Sequence, residues 1–150
     1  MKKSKIAKLV TIIFIIILIV GCISLFFIPS LYDLFKDKGI KSFNDNTVIY
    51  KIAFYMCYVI CLFIVYKLIS VFKMVYSGSP FKKELENNLK VNAISFMMLF
   101  VIVSIKAVFI PSLLSIVVAL ICFIASLSFY VLAEVIKSAI EYKNEIDYTV

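Results

Sequence analysis

Charged side chains in this sequence fall into a few clusters, and long apolar runs lie between them. Leu9–Tyr32, Ile52–Tyr66, Val91–Ile105 and Ala107–Ala133 carry no charged residue. A helix needs about 20 apolar residues to cross roughly 30 Å of hydrocarbon at about 1.5 Å per residue. Two of the runs meet that length outright, and the other two meet it once a lysine at one end snorkels to the interface. The pattern therefore predicts four spanning helices at about 6–28, 48–72, 91–109 and 112–136.

The breaks between the runs agree with that division. Pro29-Ser30 marks the outer end of the first helix, and Asp33–Tyr50 is polar, with Gly39 and Asn44-Asp45-Asn46 as turn signals. After the second helix comes Ser77-Gly78-Ser79-Pro80. Proline suits the first position of a helix, where a missing N–H is harmless, and a preceding serine can cap it. The third helix is therefore expected over Pro80–Phe109. Pro111 leaves room for a tight turn only, and the fourth helix follows over Ser112–Tyr142. The expected fold is all-α: one polytopic domain over residues 1–150, an integral membrane four-helix bundle whose third and fourth helices extend into the cytoplasm.

Composition strengthens the membrane reading. The chain is 64% hydrophobic and 17% charged, with a mean hydropathy of +1.09, whereas soluble domains run near 45–50% and about 25%. The net charge of +7 could point to nucleic acid, but the lysines are arranged by topology. Lys2, Lys3, Lys5, Lys8, Lys67, Lys73, Lys82, Lys83, Lys90, Lys137 and Lys143 fall on one side of the predicted spans. Lys36, Lys38, Lys41, Lys51 and Lys106 fall on the other. Basic residues favour cytoplasmic loops, so both termini and the 73–90 loop are expected inside, with no direct nucleic-acid binding. A basic complement made only of Lys, with much Ile and Asn, points to an A+T-rich bacterial coding sequence, and the expected location is the bacterial plasma membrane, crossed several times.

Candidate chemistry is sparse. The sequence has no His, no Trp and three Gly. That removes Ser-His and Cys-His nucleophiles, histidine metal ligands and a glycine-rich phosphate loop. No catalytic residue, cofactor or metal is expected. Lys67, Lys106 and Glu134 are the ionisable groups nearest the apolar runs, each within about two turns of a predicted helix end, with Lys137 a turn from Glu134 as its partner. A relay for protons or ions needs an acidic group near the bilayer centre, which disfavours transport.

Ile19-Val20-Gly21-Cys22 matches a bacterial lipobox, preceded by a lysine-rich start and an apolar stretch. However, Ile23–Ile28 continues apolar and completes a span that a cleaved leader has no need of, so a retained first helix is expected. Cys57 and Cys61, like Cys22 and Cys122, read as small packing residues, not as ligands. Ala53, Cys57 and Cys61 form a ridge of small residues on the second helix, and Ser115, Ala119, Cys122 and Ser126 form a stripe on the fourth. Small residues let helices approach closely in lipid. Both ridges are expected to be internal packing faces, with a homodimer contact as the alternative use.

The cytoplasmic segments carry the most specific pattern. Phe81, Leu85 and Leu89 recur every four residues, flanked by Lys82, Lys83 and Glu84 and by ion-pair spacings at Lys82–Glu86 and Glu86–Lys90. Beyond the fourth span, Ile136 and Ile140 lead to Glu141, Glu145 and Asp147. Either the two extensions pack on each other and finish the bundle, or they form a docking platform for a cytoplasmic partner. The candidate docking residues are Phe81, Lys82, Lys83, Glu84, Leu85, Leu89, Glu141, Glu145 and Asp147.

Gly78-Ser79-Pro80-Phe81 with Glu84, Asn87, Leu89 and Lys90, and the ending Ala133-Glu134-Val135 … Lys143-Asn144-Glu145-Ile146-Asp147-Tyr148-Thr149-Val150, resemble a bacterial family, domain-of-unknown-function family 2975. The four-span layout and the mid-chain Pro-Phe loop resemble it as well. The family has no established activity, but its members are often encoded beside a small helix-turn-helix regulator. The resemblance implies a non-enzymatic membrane protein that sequesters or antagonises such a regulator. The alternatives are an immunity protein that shields the membrane from a peptide toxin and, less favoured, a small transporter.

Overall fold

In a computed structural model, the chain is described over residues 5–27, 29–30, 47–77, 82–109 and 112–148. These residues are all-helical, with four long helices: α1 Lys5–Ser24, α2 Thr47–Tyr76, α3 Lys83–Phe109 and α4 Leu113–Tyr148. By length and composition α2, α3 and α4 are each able to cross a membrane, while the apolar part of α1, Lys8–Ser24, is shorter.

Local chemistry sets the helix ends. The Ser24 hydroxyl donates to the Gly21 carbonyl at 2.8 Å, and Phe26 and Phe27 donate to carbonyls three residues back. These tighter bonds close α1 four residues before the expected Ile28, although the sequence there stays apolar. At the end of α2, the Ser77 amide donates to the Lys73 carbonyl and its hydroxyl to the Met74 carbonyl. The helix therefore runs to Tyr76, a turn beyond the expected Phe72. The expected cap at Ser79-Pro80 lies outside the described residues, and α3 begins at Lys83 with Glu84 and Glu86 in its first turn, where acidic groups suit the helix dipole. Ser112 caps α4, its hydroxyl accepting from the Ser115 amide at 3.2 Å. Instead of stopping at Tyr142, α4 continues to Tyr148.

Contacts along the helices make each one antiparallel to the next. Phe14 of α1 stacks on Phe72 of α2. Lys67 of α2 reaches Asn88 of α3, Phe96 of α3 stacks on Phe129 of α4, and Phe100 meets Phe123 in a tilted ring pair. The extensive interfaces join consecutive helices, that of α3 with α4 being the largest. Two apolar clusters unite α2, α3 and α4: Ile64, Leu99 and Cys122 in one, Val71, Leu85, Leu89 and Ala133 in the other. Thus α1 lies outside a three-helix core, against α2.

This up-and-down order brings the start of α1, the end of α2, the start of α3 and the end of α4 to one end of the bundle. Lys8, Lys67, Lys73, Lys82, Lys83, Lys90, Lys137 and Lys143 belong to that end, and Lys51 and Lys106 to the other. Around the helix sides, Ile, Val, Leu and Phe are broadly exposed on α1, on the outer face of α2 and over most of α4. Contiguous apolar surface on that scale needs a covering layer.

Candidate functional site at the lysine-rich end

The lysine-rich end gathers most of the polar chemistry. Leu85 and Leu89 point inward and are 2% exposed, packed with Val71 and Ala133 and flanked by Met74, Phe129 and Ile136. This corrects their assignment as docking residues: the bundle's own helices already cover them, so no partner can use that surface. Phe81 lies outside the described residues. Lys82, Lys83 and Glu84 are exposed at the start of α3, and Glu141 and Glu145 are exposed along the end of α4. Asp147 belongs to the last turn of α4, but its side chain is not described. The platform residues thus separate into a sealed apolar pair and exposed charges on two helices.

Lys90 organises the α3–α4 seam. Its ammonium lies 2.8 Å from Glu86, one turn back, and 3.4 Å from Glu134 on α4. The expected partner of Glu134 was Lys137 on its own helix; the ion pair instead crosses to α3, because the two helices bring Lys90 and Glu134 to one level. Glu86 and Lys90 precede the apolar run that starts at Val91. The hydrogen bond from Lys90 holds the Glu86 carboxyl below its usual range, and the same bond holds the Lys90 ammonium above its own.

A polar line on α3 was not anticipated. Asn88, Asn92 and Ser95 recur at helical spacing and are all buried. Asn88 accepts a 3.4 Å hydrogen bond from the Lys67 ammonium, which also lies 5.7 Å from the centre of the Phe63 ring. Ser95 donates to the Val91 carbonyl. Asn92 is 0% exposed, and neither its amide nitrogen nor its oxygen has a hydrogen-bond partner among the described residues. The 88/92/95 spacing in a helix long and apolar enough to cross a membrane is a readable signal of an inward polar face.

On α4, Ser115, Ala119, Cys122 and Ser126 are all buried. Ser126 donates to the Ala93 carbonyl of α3 at 2.8 Å, and Lys106 of α3 donates to Ser115 at 3.2 Å. The ridge on α2 divides differently. Cys57 packs on the Ile64/Leu99/Cys122 cluster together with Ile60 and Leu68, whereas Ala53 is half-buried and Cys61 is exposed. The inward line of α2 runs through Cys57, Ile60, Ile64, Leu68 and Val71, so Cys61, one position past Ile60, turns outward. This corrects its placement on an internal contact face.

A second unanticipated contact fixes α1. Gly21 is buried, and a Cβ built there would stand 2.5 Å from Leu62 Cδ2. The Tyr58 hydroxyl donates to the Gly21 carbonyl at 3.1 Å and lies in close contact with the Ser24 hydroxyl oxygen. The lipobox-like Gly21-Cys22 step is therefore in the body of a docked helix, with Cys22 exposed beside it. Among the described residues, no three His, Cys, Asp or Glu side chains come close enough to share a metal ion.

No family model, curated protein or solved structure matches this chain.

Proposed function

We propose that the chain is a non-enzymatic membrane protein of the bacterial plasma membrane. It crosses four times with both termini in the cytoplasm, and it holds a cytoplasmic helix-turn-helix regulator at the membrane. The observation that carries the partner reading is the end of α4. The apolar cluster at this end reaches Ile136, and Ala139 and Ile140 are still half-buried, yet the helix continues to Tyr148, with 141–146 exposed throughout. Ordering each of those residues costs roughly 1–2 kcal/mol of backbone entropy, which spanning alone does not require. The resemblance to domain-of-unknown-function family 2975, carried by residues 78–90 and 133–150, supplies the kind of partner. The docking surface is then Lys82, Lys83 and Glu84 with Glu141 and Glu145, where charge governs specificity and encounter. At 20 residues α1 reaches about 30 Å, the hydrocarbon thickness, and the lysine-rich end is the cytoplasmic one.

Two experiments test this. A reporter fused after Val150 should be active only in its cytoplasmic form, and one inserted within 42–46 only in its external form; reversal at either site removes the topology. Co-expression with a helix-turn-helix protein encoded beside this gene should yield a detergent-stable complex. Glu141→Lys with Glu145→Lys should weaken capture about tenfold or more while leaving the melting temperature unchanged. Equal capture by this variant, or a neighbourhood without such a gene, removes the regulator reading.

A further inference from the structure

We propose that Lys67 seats the phosphate of an anionic phospholipid against the α2–α3 seam, a role that rests on reading α2 and α3 as membrane spans. Among the described residues Lys67 makes no ion pair: Glu86 and Glu134 both bind Lys90 on the α3–α4 side, and Glu84, one turn before Asn88 on α3, is exposed to solvent. Lys67 is half-buried, six residues deeper in α2 than the exposed Lys73. Among the described residues its ammonium meets the Asn88 amide oxygen at 3.4 Å and the Phe63 ring at 5.7 Å, and neither bears a charge.

An ammonium carries three donors. One long bond to Asn88 and a ring face leave at least one of them for a further acceptor. In low dielectric, a cation held among neutral groups gains most from an anion. At the edge of a bilayer the abundant anion is the lipid phosphate, and basic sites between spanning helices at that level bind headgroups. Asn88, itself buried, fixes the ammonium at the seam, where a freely moving surface lysine would have no set position. Phe63 lies one turn deeper in α2 and is 43% exposed, so an acyl chain below the phosphate has an apolar surface to lie on. That ring favours a lipid over a free phosphate ion. Lys73, Lys82 and Lys83, all exposed at the same end, draw anionic headgroups toward the seat without defining it.

The test begins with wild-type protein reconstituted in vesicles and floated after alkaline carbonate extraction. Loss from the vesicles would overturn the membrane reading, and the lipid seat with it, before any lipid preference is measured. Retained protein is then moved to nanodiscs of equal phosphatidylglycerol and phosphatidylcholine, and its bound lipid is counted by native mass spectrometry. Wild type should retain phosphatidylglycerol over phosphatidylcholine by roughly fivefold. Lys67→Met should bring that ratio to near one, Lys67→Arg should restore most of it, and Lys73→Met should leave it largely intact. Millimolar inorganic phosphate should not displace the lipid. The seat is overturned if Lys67→Met keeps the wild-type ratio, if Lys73→Met loses as much, or if Lys67→Arg fails to restore the ratio while melting like wild type. Displacement by inorganic phosphate would reassign the site to free anions and overturn its assignment to lipid.

Discussion

Lys90 on α3 and Glu134 on α4 meet at 3.4 Å, and the same ammonium holds Glu86 at 2.8 Å. Because this contact holds the Glu86 carboxyl below its usual range, its contribution is full above the unfolded carboxylate value of about 4.3. It is lost as pH falls through the lower folded value. Thermal unfolding in detergent should therefore show an acid limb below about pH 4 that Glu86→Gln flattens. A variant with the same acid limb as wild type would mean the pair contributes nothing. Lys90, held above its ordinary range, gives the opposite limb: its contribution is full below about pH 10.4 and is lost as pH rises through the higher folded value.

Asn92 should be a stabilising position to change. Its amide is wholly buried and unpartnered among the described residues, and such a group costs about 1–3 kcal/mol. Asn92→Leu, which keeps the branched heavy-atom shape without the polar atoms, is expected to raise stability in detergent melts. Asn92→Asp is expected to lower it, because a charge replaces the neutral amide. A destabilised Asn92→Leu would show that the amide is satisfied in the folded protein.

At Gly21, α1 packs tightly against Leu62 and Tyr58 of α2. Gly21→Leu must displace Leu62 and is expected to cost on the order of 1–3 kcal/mol of packing. Tyr58→Phe removes the donor to the Gly21 carbonyl, at about 1 kcal/mol. Gly21→Ala is the informative control. The atom it meets is the tip of a flexible leucine, and alanine gains roughly 0.5–1 kcal/mol in a helix interior, so it should stay near wild type. Equal losses for Ala and Leu would mean that something other than close approach selects glycine here.

Ala119 lies on the buried stripe of α4, while Val117 faces outward. Ala119→Leu should lower the melting temperature through overpacking, again about 1–3 kcal/mol, and Val117→Leu should be nearly silent. Identical melts would show that the stripe does not bear on α3.

Much of the helical layout is legible in the charge-free runs, because their lengths bound each helix before any packing is considered. What the runs cannot give is which surface covers an apolar stripe. Leu85 and Leu89 look alike whether a partner or Ala133 of the same chain lies over them, and only the crossing of α3 with α4 decides. The end of α1 was misplaced for a related reason: Leu25–Phe27 remain apolar, and the turn comes from the serine hydroxyl at Ser24. Lys67 near a helix end suggests snorkelling, whereas its inward contact depends on an asparagine 21 residues away in sequence. The Asn88/Asn92/Ser95 spacing was present in the sequence throughout, but an apolar count dilutes three polar residues in a long helix.

The consecutive pairing of the helices bears on how the protein is made. Among the described residues the large interfaces join α1 to α2, α2 to α3 and α3 to α4. Each helix therefore has its main partner next to it in chain order. Gly21 finds Tyr58 and Leu62 before α3 exists, and Lys67 finds Asn88 before α4 does. Docking can proceed in the order of translation, with short connections to close between α2 and α3 and between α3 and α4. Only the final helix, with Ser126 on the Ala93 carbonyl and Glu134 on Lys90, completes the polar seam.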